Sequence, residues 1–169
     1  MSISMHSASV PAFARMLGNM LTWMEAAKAH AEAKKFDSAN YLGLRLAPDM
    51  LPFKNQIQIC SDAAKGCIAR LAGQAVPSWP DDEATLDDLI ARIQKTRDYV
   101  LSVPAAEIDG SEALAIEIPR RSGEPLKFSG EDYLRGFAMP NFYFHATTAY
   151  ALLRHAGVSL GKMDFLGKP

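Results

Sequence analysis

Two of the four histidines lie in one segment near the end of the chain, PNFYFHATTAYALLRHAGVSLGK, residues 140–162. An imidazole can bind a metal ion or transfer a proton near neutral pH, so the first question is whether His145 and His155 form one site. On a helix, a spacing of ten residues separates them by about 15 Å of rise and about 80° of rotation. We therefore predict that His145 and His155 cannot bind the same ion.

His145 is the stronger candidate, because it falls in the apolar stripe of its helix. The stripe has intervals of 3, 4, 3 and 4 residues and consists of Phe142, His145, Ala149, Leu152 and Ala156. Two interpretations are open: a buried histidine that hydrogen-bonds neighbours such as Gln56 or Tyr150, or a ligand or proton-transfer residue in a pocket. His155 instead precedes the helix end, where an imidazole can contact the last carbonyl groups.

The other reactive side chains form no recognisable catalytic pattern. Cys60 and Cys67 are separated by about 10.5 Å along a helix, so we predict two small core residues and no disulfide. His30 lies near the end of the first helix, where it either packs beside Trp23 on a half-buried flank or contributes to a site. No serine or cysteine stands beside a histidine in a nucleophile motif, and no glycine-rich phosphate loop is present.

The composition is that of an ordinary globular protein and excludes several classes of partner. The 169 residues are 49% hydrophobic and 22% charged, with a formal net charge of -1. This charge provides no field to attract nucleic acid or anionic lipid, so we expect neither as a partner. No apolar run approaches the roughly 20 residues of a membrane span, and no secretion signal is recognisable. We therefore predict one domain, residues 1–169, in the cytoplasm.

Hydrophobic periodicity predicts four amphipathic helices, of which the first two carry the cleanest stripes. We expect helix one from Pro11 to about Ala33, and helix two from a cap at Asp49 to Gly73. Each stripe repeats at intervals of four and three residues. The linker after helix two contains about a dozen residues, which is long for a bundle and sufficient to cross from one end to the other.

The second half of the chain combines helices with one hairpin. Helix three begins with a capping box at Thr85 and ends before Pro104. Alternating apolar residues in EALAIEIP, followed by the polar turn RRSGEP and the segment LKF, predict a small β-hairpin. Ser129 then caps a short turn, and Pro140 either opens helix four or kinks a longer helix that ends at Gly157. The tail is too short and too glycine-rich for another helix, but its apolar residues could anchor it to the bundle.

Several segments resemble an uncharacterised domain-of-unknown-function family that is grouped with the DinB-like four-helix bundles. They are RLAPDMLPFKNQIQICSDAAKGCIARLAG, PNFYFHATTAYALLRHAGVSLGK and DFLG, and the resemblance extends over nearly the whole chain. It implies an all-α fold, a DinB-like four-helix bundle with up-down-down-up connections, here with a small β-hairpin between helices three and four. The resemblance also implies a homodimer, for which the methionine-rich face of helix one is a candidate interface.

The same resemblance suggests where a metal ion would bind. The superfamily typically holds a divalent metal with three histidines, one on helix two and two on helix four. Here His145 matches the last ligand position, Asn141 stands four residues earlier, and Gln56 is the counterpart on helix two. Carboxamide oxygens bind Zn²⁺ or Ni²⁺ more weakly than imidazole nitrogens, so the comparison implies a degraded metal site.

Two functional hypotheses follow. In the first, the chain is a non-enzymatic or metal-free bundle that needs no cofactor and binds a small molecule or a partner in a cleft around His145, Gln56 and Asn141. In the second, it is a metal-dependent enzyme resembling the DinB-like thiol transferases, with Zn²⁺ or Ni²⁺ on His145 and with His30 among the groups that complete the ligand set. The distances among these four side chains distinguish the hypotheses, because ligand bonds to such metals are near 2.1 Å.

Overall fold

The computed structural model describes residues 3–120 and 122–167. In chain order, its elements are α1 (Met5–Lys34), a 3-10 helix (Ser38–Gly43), α2 (Phe53–Leu71), α3 (Leu86–Ser102), α4 (Ala105–Ile108), β1 (Ala115–Ile118), β2 (Leu126–Ser129), α5 (Gly130–Asp132), a π-helical segment (Tyr133–Ala138), α6 (Met139–His155) and α7 (Lys162–Leu166). The four long helices α1, α2, α3 and α6 form the bundle. Within the described ranges, no helix has both the length and the apolar character that a membrane span requires.

Aromatic contacts show the relative direction of α1 and α6. Phe13 packs edge-on against Phe142 with ring centroids 4.8 Å apart, and further along both helices Trp23 contacts Tyr150 at 5.4 Å. Such edge-to-face pairs add roughly 0.5–1.5 kcal/mol to the stabilisation from burial. Because residue numbers rise together along the two helices, α1 and α6 run parallel.

The packing of α2 on α6 is antiparallel. Gln56 near the start of α2 hydrogen-bonds His145 of α6, whereas Arg70 near the end of α2 hydrogen-bonds Tyr133, in the π-helical segment that precedes α6. This register determines which polar groups of α2 face α6. It therefore positions both of the sites described below.

Polar contacts at both ends show that α2 and α3 run parallel. Near the start of α2, Gln58 donates a 2.7 Å hydrogen bond to Glu83, just before α3. Beyond the end of α2, Gln74 accepts a 3.4 Å hydrogen bond from Tyr99 of α3. The linker, residues 72–85, must therefore return along the length of the bundle. These directions are the up-down-down-up arrangement, and they confirm the predicted fold class.

The start of α1 differs from the prediction, because the helix begins at Met5 and not at Pro11. A reciprocal cap begins it: the Ser4 hydroxyl accepts a 3.2 Å bond from the amide of Ser7, and the Ser7 hydroxyl accepts a 2.8 Å bond from the amide of Ser4. Pro11 lies inside the helix, where its missing amide leaves the carbonyl of Ser7 without its usual helical partner. The cap and the buried face of this first segment outweigh that loss.

The N-terminal caps of α2 and α3 test two of the sequence predictions. The prediction that Asp49 caps α2 is wrong, since α2 begins at Phe53 after Pro52 and has no side-chain cap. A proline before the first helical residue supplies an extended backbone instead. The capping box of α3 is confirmed: the Thr85 hydroxyl accepts a 3.1 Å bond from the amide of Asp88, whose carboxylate accepts one from the amide of Thr85 at 2.9 Å.

The predicted hairpin is present between α4 and the last long helix. Strands β1 and β2 pair antiparallel, with Ala115 opposite Ser129 and Ile118 opposite Leu126. The predicted turn RRSGEP includes Arg121, which lies outside the described residues. Ile116 of β1 is buried, so the hairpin covers part of the helical core.

The fourth long helix of the bundle begins before α6. The Ser129 hydroxyl accepts a 3.2 Å bond from the amide of Asp132, and the helix then continues from α5 through the π-helical segment into α6. Pro140 therefore lies within a longer helix and does not open one. The wider π turn just before it accommodates a residue with no amide hydrogen. Gly157, with φ of +95°, terminates the helix as predicted.

The tail packs on α1 and buries Trp23 completely, where we expected a half-buried flank. The indole ring stacks on Phe165 at 5.6 Å, and its N–H donates a 2.9 Å hydrogen bond to the carbonyl of Asp164. The amide of Asn19 donates a 2.8 Å bond to the carbonyl of Phe165. The tail is anchored as expected, but the expectation of no further helix is wrong, because residues Lys162–Leu166 form α7.

The sulfur-containing residues of α1 and α2 belong to the core. Cys60 and Cys67 are buried and free, and burial raises the pKa of both thiols well above the ordinary value. Met16, Met20 and Met24 are buried inside the same subunit. The methionine-rich face of α1 is therefore not available as a subunit interface, and that expectation is wrong.

The linker is held against the bundle by the guanidinium of Arg92, a buried residue of α3. Arg92 contacts the carboxylates of Glu83 at 2.6 Å, Asp81 at 2.9 Å and Asp62 at 3.1 Å. Glu83 is buried as well and also accepts the hydrogen bond from Gln58. This charged cluster attaches the returning linker to both α2 and α3.

Candidate functional site

His145 lies in α6 and faces α2, with 9% of its surface exposed. Its position follows from the stripe of α6, because Phe142 and Ala149 on either side are fully buried in the core. The ring is connected to α2 by one hydrogen bond, 2.7 Å between Nδ1 and Oε1 of Gln56. His145 is thus a buried polar residue with a specific partner from the neighbouring helix.

A second hydrogen bond defines which ring nitrogen carries the proton. The Nε2 group of Gln56 donates a 2.8 Å bond to the carbonyl of Leu51, in the connector before α2. This bond orients the carboxamide, so Oε1 faces His145 and can only accept a hydrogen bond. Nδ1 of His145 must therefore carry the hydrogen, which leaves a lone pair on Nε2.

Burial determines the charge state of this imidazole. It lowers the pKa of His145 below the ordinary value of 6.5, because a charged ring is poorly solvated there. At neutral pH the ring is therefore uncharged, with Nε2 as a hydrogen-bond acceptor. No described residue forms a hydrogen bond with Nε2. The arrangement provides one oriented acceptor atom.

Two exposed apolar residues belong to the surroundings of the His145–Gln56 pair. Phe144 is 58% exposed and its ring lies 5.1 Å from the His145 ring, nearly perpendicular to it. Leu51 is 49% exposed, and its carbonyl belongs to the same hydrogen-bonded chain. Sequence reasoning missed both residues. The run NFYFH, in which an aromatic residue falls off the apolar stripe directly before the histidine, is the signal that could have found Phe144.

Asn141 lies one helical turn before His145 but contacts a different space. It is half buried and lines a cavity of about 150 Å³ between α2 and the last helix. In the described part of the chain, it forms no hydrogen bond with either His145 or Gln56. Of the three residues that the family resemblance aligned, the structure joins His145 and Gln56 by a hydrogen bond, and Asn141 is not part of that pair.

His30 is remote from this site, which contradicts its proposed place in the ligand set. Its Nδ1 lies 2.6 Å from the hydroxyl of Tyr41, and its ring packs edge-on against Phe36. The other side of the ring lies against Gly157, beyond the end of α6. The rise along α6 from His145 to that end is about 15 Å, so His30 cannot share a ligand with His145.

The residues present do not fit a three-ligand metal centre. Both polar atoms of the Gln56 carboxamide are used, one by Leu51 and one by His145. In the ranges 3–120 and 122–167, no group of three or more histidine, cysteine, aspartate or glutamate side chains is placed to hold a metal ion. What remains at the centre of the site is the single Nε2 atom of His145.

Comparison with known families and structures agrees with this architecture. A family model described as "Domain of unknown function (DUF1993)" matches residues 5–166. The chain belongs to the DUF1993 family. This DUF1993 chain is also similar to the crystal structure of a DinB family member protein from Shewanella denitrificans, with 38% sequence identity and a TM-score of 0.87, over 97% of this chain and 92% of that one. A comparison with curated proteins gives no match.

Membership of DUF1993 and the structural likeness together confirm the predicted relationship to DinB-like proteins. The predicted all-α bundle with its hairpin is the fold of this DUF1993 chain. The family description assigns no activity. The chemistry must therefore be argued from the side chains themselves.

Proposed function

We propose that this DUF1993 chain is a non-enzymatic, metal-free binding protein that takes a small molecule at Nε2 of His145. The observation that carries the proposal is the chain of hydrogen bonds from His145 through Gln56 to the carbonyl of Leu51. It holds Nε2 in its unprotonated form without a partner among the described residues. An acceptor that is already oriented loses little conformational entropy when a ligand binds.

The surroundings indicate the chemistry of that ligand. Nε2 accepts a hydrogen bond, so the ligand must present an O–H or N–H group. The exposed ring of Phe144 and the exposed side chain of Leu51 favour an apolar or aromatic body beside that group. Phenol is the simplest probe with both features, and anisole has the same ring without the hydroxyl hydrogen.

Binding of these two probes tests the proposal. Phenol should shift the amide resonances around His145 in a saturable way, and anisole should bind more weakly by roughly tenfold, the value of one hydrogen bond. His145→Phe should remove this preference. The matched control is His155→Phe, which changes an exposed histidine on the same helix. Equal preference for phenol in wild type and His145→Phe would refute the proposal.

One observation favours the second candidate, a metal-dependent enzyme resembling the DinB-like thiol transferases. Metal-binding histidines usually donate their other ring N–H to an oxygen, as His145 does to Gln56. Elemental analysis of protein purified without a chelating tag separates the two candidates. Stoichiometric Zn²⁺ or Ni²⁺ that disappears in His145→Phe would overturn the metal-free proposal.

The proposal includes a homodimer in the cytoplasm, as the family resemblance and the composition suggest. The methionines of α1 are buried in the subunit, so the second copy must contact another surface. Exposed apolar side chains such as Phe144 and Met163 are the alternatives. Light scattering during size-exclusion chromatography measures the mass directly. A mass of 18.5 kDa at all concentrations would show a monomer and refute this part of the proposal.

A further inference from the structure

A second candidate site lies in the cavity that Asn141 lines, between α2, β1 and the π-helical segment. Its volume is about 150 Å³. Its apolar wall includes Ile59, Ala63 and Phe137, and its polar wall includes Asp62, Arg70 and Tyr133 as well as Asn141. An apolar cavity of this size is large enough for one benzene ring. A π-helical segment at its wall is a feature that often accompanies functional sites.

Arg70 is the only cation among the residues that line this cavity, and it is held in a defined position. Its guanidinium donates a 3.0 Å hydrogen bond to the hydroxyl of Tyr133 and lies 5.8 Å from the centre of that ring. The side chain folds back over Gly66, where an added Cβ would lie only 2.6 Å from the guanidinium. The missing side chain at Gly66 thus creates the space that Arg70 occupies.

The charge of Arg70 has no carboxylate partner within the described residues. The one acidic residue in the cavity wall is Asp62, and its carboxylate is paired with Lys65 and Arg92 instead. A half-buried guanidinium that lacks an anion is a strong donor for one. Asp62 opposes such an anion less than a free carboxylate would, because it pairs with Lys65 and shares Arg92 with Glu83 and Asp81.

The hydroxyl group of Tyr133 is a second donor, and its hydrogen bond from Arg70 fixes how it is oriented. Only 2% of its surface is exposed, and burial raises its pKa to about 12, so the hydroxyl keeps its hydrogen. The hydroxyl oxygen accepts the bond from Arg70, which leaves its hydrogen for another acceptor. Neither this hydrogen nor the carboxamide of Asn141 has a partner in residues 3–120 and 122–167. Arg70 and Tyr133 therefore supply two neighbouring donors at this cavity.

We infer that this cavity binds a small monocarboxylate with an apolar body, of about the size of benzoate. The carboxylate accepts hydrogen bonds from Arg70 and Tyr133, and the body lies among Ile59, Ala63 and Phe137. The two donors of this site are distant from His145, because Tyr133 and His145 are twelve positions apart, about three turns of helix, although Asn141 in the cavity wall is one turn from His145. The two proposals can therefore fail independently.

Titration of the protein with benzoate, followed by amide NMR and calorimetry, tests the inference. Benzoate should cause saturable shifts at Ala63 and Phe137, and neutral benzamide should bind at least tenfold more weakly. Arg70→Met keeps the aliphatic stem but removes the charge, and it should raise the Kd for benzoate roughly 10- to 100-fold. Arg154→Met is the matched control: it removes the same charge from an exposed position on α6 and should leave the Kd unchanged.

A further variant protects the test against misfolding of Arg70→Met. Ala63→Leu leaves the charge of Arg70 in place and fills the apolar part of the cavity, so it should also weaken benzoate binding at least tenfold. Three results would overturn the inference: no saturable shifts in wild type, equal binding of benzoate and benzamide, or unchanged affinity in both variants. Loss of phenol binding at His145 would bear only on the other site.

Discussion

Replacing Gln56 by leucine removes the link between His145 and the connector while keeping a side chain of similar size. Two groups lose their partner, Nδ1 of His145 and the carbonyl of Leu51. An unsatisfied buried polar group costs about 1–3 kcal/mol. Leu51 is half exposed, so water can replace the lost bond at its carbonyl, whereas the His145 ring is buried. We therefore expect the free energy of unfolding to fall by about 1–3 kcal/mol in total.

Two measurements check this expectation. In a chain of 169 residues, the destabilisation corresponds to a decrease of the Tm by about 2–12 °C in thermal unfolding. Nitrogen NMR of the His145 ring should show Nε2 unprotonated in wild type and partly protonated in Gln56→Leu, because the fixed acceptor for Nδ1–H is gone. The second measurement does not depend on stability.

The matched control is Gln94→Leu on the surface of α3. Gln94 donates a 2.7 Å hydrogen bond to Asp98, and both partners are accessible to water. This variant should change stability by no more than about 0.5 kcal/mol. If Gln56→Leu matches the control in stability and leaves the ring nitrogens unchanged, the proposed hydrogen-bonded chain does not hold His145, and the functional proposal loses its basis.

Three other predictions concern the core, the pH dependence and the tail. Arg92→Met leaves the buried carboxylate of Glu83 without its cation and should lower stability by about 3–5 kcal/mol in urea unfolding; a loss below 1 kcal/mol would contradict the buried cluster. The pKa of His145 is lowered by burial, so the unfolded state takes up the proton first, and stability should decrease as the pH falls below 6.5. His145→Phe should flatten that part of the pH profile, and an unchanged slope would show that another group causes it. Trp23→Phe removes the N–H that binds the carbonyl of Asp164 and should accelerate hydrogen exchange in α7 and limited proteolysis of the tail, while protection in α2 stays unchanged.

The helices were predictable because their signal is local. Apolar residues at intervals of three and four define one face of a helix whatever it packs against, and alternation in EALAIEIP defines a strand in the same way. The errors fall where a local signal competes with packing. Pro11 suggested a helix start, but the Ser4 cap and buried residues before it extend α1 to Met5. The tail forms α7 because Trp23 binds it, which no local pattern shows.

The candidate site was predictable in part for the same reason. The stripe of α6 by itself places His145 toward the core, and the structure shows it there. The partners of that histidine depend on how far α2 slides and rotates against α6, which the stripes alone leave open. That register brings Gln56 to His145, leaves Asn141 at the separate cavity, and leaves His30 with Tyr41.

By itself, the sequence determines four amphipathic helices, a hairpin, and which residues of each element face inward. Periodicity is a property of neighbouring residues, so it needs no knowledge of the rest of the chain. Only the tertiary structure decides that the Leu51 carbonyl orients the carboxamide of Gln56, and that this carboxamide places the proton of His145 on Nδ1. It also decides that Arg70 contacts the hydroxyl of Tyr133 and no carboxylate among the described residues. Hydrogen bonds act over about 3 Å between residues distant in sequence, and a shift of one helical turn, 5.4 Å, would break them.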